Sequence, residues 1–212
     1  MKSEEYKELS IKEFTKAAQV YDSGHAGVYE FCKEDYPPIL EELEKSDFND
    51  LLDVGCGTGP MIELLSRKYP DRHYVGLDLT PKMIEVANAK NLPNTKFIVG
   101  DSENLPFEDE SFDAVICANS FHHYPNPQKF FDGVNRVLRR NGRLVLRDYT
   151  TNSALLWFIN NIEFRILHLF GFSDVGIYSL DRIREMCTSA GLEVVKLERR
   201  KKFRLHLVAE KK

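Results

Sequence analysis

The stretch "LLDVGCGTGPM", Leu51 to Met61, decides the fold. An apolar run closes on Asp53 and Val54, and three glycines then stand at every second position, Gly55, Gly57 and Gly59, ahead of Pro60. A chain gives up side chains in that pattern for one of two reasons. Glycine allows positive φ at a tight strand-to-helix corner, and the missing Cβ lets a ligand lie against the backbone and the N–H groups that open the next helix. Pro60 suits a first helical turn, where its missing N–H costs no hydrogen bond and its φ is preset.

Outward from the loop, strand-length apolar runs alternate with helical patterns, the signature of βαβ units and a mostly parallel sheet. The runs are "LLDV" (51–54), "HYVGLD" (73–78), "KFIVG" (96–100), "FDAVICA" (112–118) and "RLVLRDY" (143–149). Helices are predicted from about Pro60 to Lys68, after Thr80 with Pro81 at the first position, and from about Pro127 to Arg139, closing near Gly142. A helical insertion (152–170) and a helix from Ser179 to Ala190 follow. The last two strands, "LEVVKLE" and "FRLHLVAE", are joined only by "RRKK", too short for a parallel crossover, so they form an antiparallel hairpin. The expected fold is α/β: a Rossmann-like, seven-stranded, mostly parallel sheet with helices on both faces. The expected organisation is a single domain over 1–212, with an N-terminal helical lid (1–45), a cofactor-binding core (46–150), a helical insertion over the acceptor site (151–178), and the last helix and hairpin (179–212).

Ligands of such sheets bind beyond the carboxyl ends of the strands, at the switch point beside the first strand. Nineteen residues after Gly59, Asp78 ends the second run, placed to accept hydrogen bonds from both hydroxyls of a ribose. In "GDSENLPF" (100–107), Asp101 can accept from an exocyclic amine, with Ser102 and Glu103 offering backbone groups; the alternative is a polar turn capped by Asp101. "ANSFHHYPNP" (118–127) adds His122 and His123 at the same edge.

Together "LLDVGCGTG", Asp78, "GDSENLPF", "FDAVICANSFHHYPNP" and "VNRVLRRNGRLVLRD" resemble the class I S-adenosylmethionine-dependent methyltransferases, in the subgroup with ubiquinone- and menaquinone-biosynthesis methylases and many small-molecule methylases. The resemblance covers about residues 45–150 and implies S-adenosylmethionine as cofactor, with S-adenosylhomocysteine as product. It also implies roles. Asp53 and the loop Gly55, Cys56, Gly57 and Gly59 would hold the methionine part, Asp78 the ribose, Leu79 the adenine face, and Asp101 with Ser102 the adenine amine. Asn119, Ser120 and Phe121 would border the sulfonium, and Tyr21, in the lead-in "FTKAAQVYD", would close over the cofactor.

Methyl transfer from a sulfonium demands alignment and exclusion of water, and a base only where the acceptor must lose a proton. His122 and His123 are the candidate catalytic residues, since imidazole titrates near neutrality. Strand alternation would turn only one of them to the pocket. Asp148 and Tyr149 are further candidates for acceptor contact. No group has convincing metal-ligand spacing, so no metal is expected, although His122, His123 and Asp148 could approach one another.

The insertion is apolar nearly all round, from Leu155 to Leu167, and needs a cover: the N-terminal helices or a second copy of the chain, making a homodimer. As a roof over the acceptor pocket it implies a small, partly hydrophobic acceptor. With 29 basic and 33 acidic residues the net charge is −4, which disfavours nucleic acid as a partner, and the run Arg199 to Lys202 reads as a solvated turn. The four cysteines form no CxxC pair, which favours reduced thiols and a cytoplasmic protein, and neither an apolar leader nor a membrane-spanning run is visible. The rival readings are an NAD(P)-dependent oxidoreductase of Rossmann type and a non-catalytic S-adenosylmethionine-binding protein. The first is weakened by Pro60, which stands where the dinucleotide fingerprint needs Gly or Ala.

Overall fold

A computed structural model describes residues 2–19 and 33–212, apart from the Lys202 side chain. The first described element, α1 (Ser3–Ala17), and α2 (Tyr36–Leu43) precede the sheet. The βαβ rhythm then runs β1 (Asp50–Val54), α3 (Pro60–Lys68), β2 (His73–Asp78), α4 (Pro81–Ala89), β3 (Thr95–Val99), β4 (Phe112–Ala118), α5 (Pro127–Val137) and β5 (Leu138–Tyr149). After an insertion come α8 (Leu180–Ser189), β6 (Leu192–Arg200) and β7 (Arg204–Lys211). The insertion is one helical rod of α6 (Ser153–Phe158), a π-helical turn (Ile159–Glu163) and α7 (Phe164–Leu169).

The seven strands are ordered β3-β2-β1-β4-β5-β7-β6. β1 pairs in parallel with both β2 and β4, which makes its carboxyl end the switch point. β7 runs antiparallel to β5 and β6, so the expected C-terminal hairpin is present.

Period-two alternation divides the core between the two faces of the sheet. Leu52, Val54, Val115, Cys117, Leu144 and Leu146 pack beneath Phe130, Phe131 and Val134 of α5 and Ile183 and Met186 of α8. Their neighbours Leu51, Ala114, Ile116 and Val145 face the other way, against Ile39 and Leu43 of α2, Ile62 and Leu65 of α3, and Ile84 of α4. Strands buried on both faces read as continuous apolar runs, which is how they were found in the sequence. Cys56, Cys117 and Cys187 are buried free thiols.

Two expectations are corrected. Helix α5 ends at Val137 rather than near Arg139, because Leu138 is already extended and paired with Phe112, while Arg139 reaches Asp50 and Asp113 at 2.7 and 2.8 Å. Arg199 and Arg200 belong to β6, and the hairpin turns through a 3-10 segment at Lys201–Phe203. In the single chain the insertion keeps an open face: Phe164 is its buried side chain, while Trp157, Leu169 and Phe170 are 60%, 83% and 76% exposed, which leaves the cover by a second copy untouched.

Candidate active site

The glycine loop is pinned to the neighbouring strand. Backbone N–H groups of Gly55 and Cys56 both donate to the Leu77 carbonyl, at 2.7 and 3.1 Å. Gly55, Gly57 and Gly59 all take positive φ, at 75°, 55° and 76°. At Gly55 a Cβ would overlap the Ser120 hydroxyl and stand 2.8 Å from that of Tyr124, so conformation and space both require glycine there. Asp78 braces the loop from the end of β2: its carboxylate accepts from Gly57 N at 2.9 Å and from Thr80 N at 2.8 Å. The Thr80 hydroxyl donates to it as well, and the four acceptor positions of a carboxylate still leave room for a ligand donor.

Burial raises the Asp78 pKa in spite of those bonds. Asp53, 3% exposed, is pushed up to about 8 by its own burial and by the charge of Asp78. A buried and a half-buried carboxyl at one edge make a site that favours a positive charge beside Asp53.

Asp101 lies beyond β3. One of its oxygens accepts from Glu103 N at 2.9 Å, the capped polar turn, and the other from Lys7 Nζ at 2.7 Å. Lys7 also pairs with Glu103 at 3.0 Å, which ties α1 to this loop. Lys7, Ser10 and Phe14 occupy one face of α1 and line the same cavity as Asp53, Asp78 and Asp101.

The loop after β4 carries Asn119 at φ 55°. Ser120 donates to Val54 O at 3.2 Å and shares a 2.7 Å hydrogen bond with the Tyr124 hydroxyl. The two histidines sit in a 3-10 turn, Phe121–His123, rather than on a strand, so the turn, and not strand alternation, separates their directions. His122 is clamped: Nδ1 meets Asp148 Oδ1 at 2.7 Å, Nε2 stands 3.5 Å from Asp174, and its carbonyl accepts from Val175 and Gly176 N–H. Burial works against its charged form, but Asp148 outweighs burial and raises the pKa. His123 lines the cavity, with Nδ1 3.1 Å from Ser173 Oγ and its ring edge-on to Phe14. Its burial, helped by the charge on His122, lowers its pKa to about 4 and keeps it neutral.

Residues 52–146 match the family model described as "Methyltransferase domain" (Methyltransf_11). Over that segment the chain is similar to methyltransferase domains. A demethylmenaquinone methyltransferase of Thermotoga maritima is 45% identical over 108 residues, 51% of this chain and 47% of that protein. A phthiotriol/phenolphthiotriol dimycocerosates methyltransferase of Mycobacterium leprae is 38% identical over 121 residues, 56% of this chain and 45% of that protein. The chain thus spans about half the length of the curated relatives it matches. Among solved structures, the PH0226 protein of Pyrococcus horikoshii shares the fold with a TM-score of 0.74 at 22% identity, over 94% of this chain and 99% of that one.

Within the matched segment, Asp53, Gly55, Cys56, Gly57, Asp78, Leu79, Asp101, Ser102, Asn119 and Ser120 all line the cavity that His123 borders. Asp148 and Tyr149, expected to contact the acceptor, stand outside that lining, as do three of the expected cofactor and catalytic residues. Gly59 caps α3, Phe121 is buried among Phe130, Phe131 and Tyr178, and His122 lies behind His123. Tyr21 lies outside the described residues. No side chain of the insertion lines the cavity among the described residues; α1 covers it instead. Sequence reading missed Lys7, Ser10, Phe14 and Tyr36; only the i, i+3, i+7 spacing of the first three hinted at a shared face.

The cavity suits the cofactor: Asp53 favours a cationic amino group, Asp78 has acceptor positions to spare, and Met61, Leu77 and Met83 supply apolar wall. One ligand atom each from His122, His123 and Asp174 lies within 4.8 Å of the others, close enough for a metal ion. The grouping suggested by sequence used Asp148 in place of Asp174; His122 Nδ1 engages Asp148, and its Nε2 faces Asp174 at 3.5 Å. Among the described residues no helix is long and apolar enough to cross a membrane.

Proposed function

We propose that the chain transfers a methyl group from S-adenosylmethionine, by in-line displacement, to a small acceptor with apolar surface. The observation that carries this reading is the convergence of Asp53, the Gly55–Gly57 backbone, Asp78, Asp101 and Asn119 on one cavity at the switch point of a methyltransferase domain. When bound, the cofactor supplies a methyl group already activated on a sulfonium.

Asp53, with Gly55, Cys56 and Gly57, holds the amino-acid end, and Asp78 accepts from the ribose hydroxyls. Leu79 packs on the adenine face, and Asp101 meets the adenine amine with its remaining lone pairs beside Ser102. Asn119 and Ser120 border the sulfonium, while Gly59 and Phe121 support the loops from behind. Alignment of this kind is worth about 7–11 kcal/mol, and α1, through Ser10 and Phe14, excludes water. Neutral His123 is the proton acceptor for an acceptor O–H or C–H, and His122 is a positioning residue held by Asp148.

The names of the two curated relatives support a small-molecule acceptor. In this reading 1–45 is a helical lid, 46–150 the cofactor core, 151–178 the insertion and 179–212 the closing helix and hairpin; the exposed insertion is the homodimer face. An S-adenosylhomocysteine-release screen over candidate metabolites, run with Asp78→Ala and His123→Ala variants, tests the activity. Cofactor binding with no turnover on any acceptor would favour the non-catalytic alternative.

A further inference from the structure

Asn119 joins the cofactor cavity to a second one. Its side chain lines the first, donates to Asp35 Oδ2 at 2.9 Å and accepts from Arg204. Asp35 and Arg204 line the second cavity together with Glu34, Arg147, Arg200 and Lys201. Four of these six side chains are cations. Asp35 is shared between two guanidiniums: Arg147 Nε and Nη2 reach Oδ1 at 2.9 and 2.6 Å, and Arg204 Nη2 reaches Oδ2.

One carboxylate cannot satisfy both. Arg147 is 3% exposed, and its Nη1 has no hydrogen-bond partner among the described residues. A buried charged donor left without an acceptor is more costly than a neutral one. Burial is the largest cause that lowers the pKa of Arg147; Asp35 opposes it, and Arg204 and Arg200 add to it. Asp35 and Glu34 offset half of the four lining cations, and Glu198 pairs with Arg200 at 2.7 Å. The basic run expected to be a solvated turn thus supplies two walls of a pocket, Arg200 and the exposed Lys201.

We propose that this second cavity binds a carboxylate or phosphate group, with Arg147 Nη1 as the buried donor and Lys201 as the outer charge. Guanidinium is the side chain best matched to either anion. The anion arrives either on the methyl acceptor, seated beside Asn119, or as a free small ion; the first source rests on the methyl-transfer reading and the second does not.

Isothermal titration with inorganic phosphate, at ionic strength held constant with sodium chloride, reads the site directly. Saturable binding is expected, weakened about tenfold or more in Arg147→Met by loss of a charge-assisted donor. Because Arg147→Met also disturbs Asp35, Lys201→Glu is the second variant; it leaves the Asp35 contacts in place and weakens phosphate about fivefold. S-adenosylhomocysteine affinity stays unchanged in Lys201→Glu. No saturable phosphate binding in the natural chain, or equal affinity in both variants, overturns the proposal.

Turnover of 4-hydroxybenzoate against its methyl ester separates the sources. A preference for the acid, with KM raised by Lys201→Glu for the acid alone, places the anion on the acceptor. Equal handling of the pair alongside saturable phosphate binding makes it a free ion. Failure of S-adenosylhomocysteine to bind would count against the proposed function, and leaves the phosphate result to decide the anion site.

Discussion

The backbone N–H of Gly57 donates to the Asp78 carboxylate at 2.9 Å, across 21 residues of sequence. One side chain therefore sets the shape of the glycine loop and, in the proposed function, receives the ribose. Asp78→Ala removes both at once. The expected result is a loss of S-adenosylhomocysteine affinity of about 10- to 100-fold, the worth of hydrogen bonds to a charged group, for every acceptor alike. Calorimetric titration checks it, with circular dichroism to show that the sheet is intact; unchanged affinity would refute the site assignment.

Asp53 makes the binding reaction depend on pH. Its carboxyl is held up to about 8 by burial and by Asp78, against an ordinary value of 3.8. A carboxyl raised in the folded state adds stability that is fully present below the unfolded value and is lost as pH rises through about 8. The ligand-free protein should thus lose stability from this group between pH 4 and 8, and Asp53→Asn should flatten that slope. A cationic amino group beside Asp53 favours its ionised form, so cofactor affinity should climb with pH over roughly 6 to 8 and protons should be released on binding. Titration in buffers of different ionisation enthalpy counts them; in Asp53→Asn the count should fall toward zero.

His123 borders the cavity as a neutral ring with its pKa lowered to about 4. A base with that value is deprotonated throughout the neutral range. Turnover should therefore show no acid limb from this residue above about pH 5, whatever limb the acceptor itself contributes. His123→Gln should cost about 10²- to 10⁴-fold in kcat with acceptors that lose a proton, and little with those that do not, while cofactor affinity holds. An equal loss with every acceptor would assign His123 to positioning.

The legible parts of this protein are those whose cause is local. Gly55 and Gly57 announce themselves because positive φ excludes most side chains, and Leu51 to Val54 because a strand buried on both faces has no polar alternate. The directions of His122 and His123 depend on a turn type that "SFHH" does not encode alone, and on Asp148 and Ser173 arriving from 26 and 50 residues away. Lys7 meets Asp101 across 94 residues, and Asp35 meets Arg204 across 169. Such pairings follow from how helices and hairpin fold back over the sheet, and no spacing rule reports them. The insertion is apolar in sequence, and one copy of the chain leaves part of that apolar face exposed, because what would cover it lies outside the sequence pattern itself.

That exposed face gives the last prediction. Leu169 and Phe170 are 83% and 76% exposed, so the single chain draws little stability from them. Leu169→Glu with Phe170→Glu should change unfolding free energy by no more than about 0.5 kcal/mol per site in dilute protein, the range of ordinary surface substitutions. If two copies bury this face against each other, the same double variant converts a concentration-dependent dimer into a monomer and removes the concentration dependence of Tm. Sedimentation velocity over a hundredfold range of concentration reads this outcome. A natural chain that stays monomeric across that range refutes the homodimer, and a double variant that unfolds early even when dilute would mean that the insertion packs on its own chain.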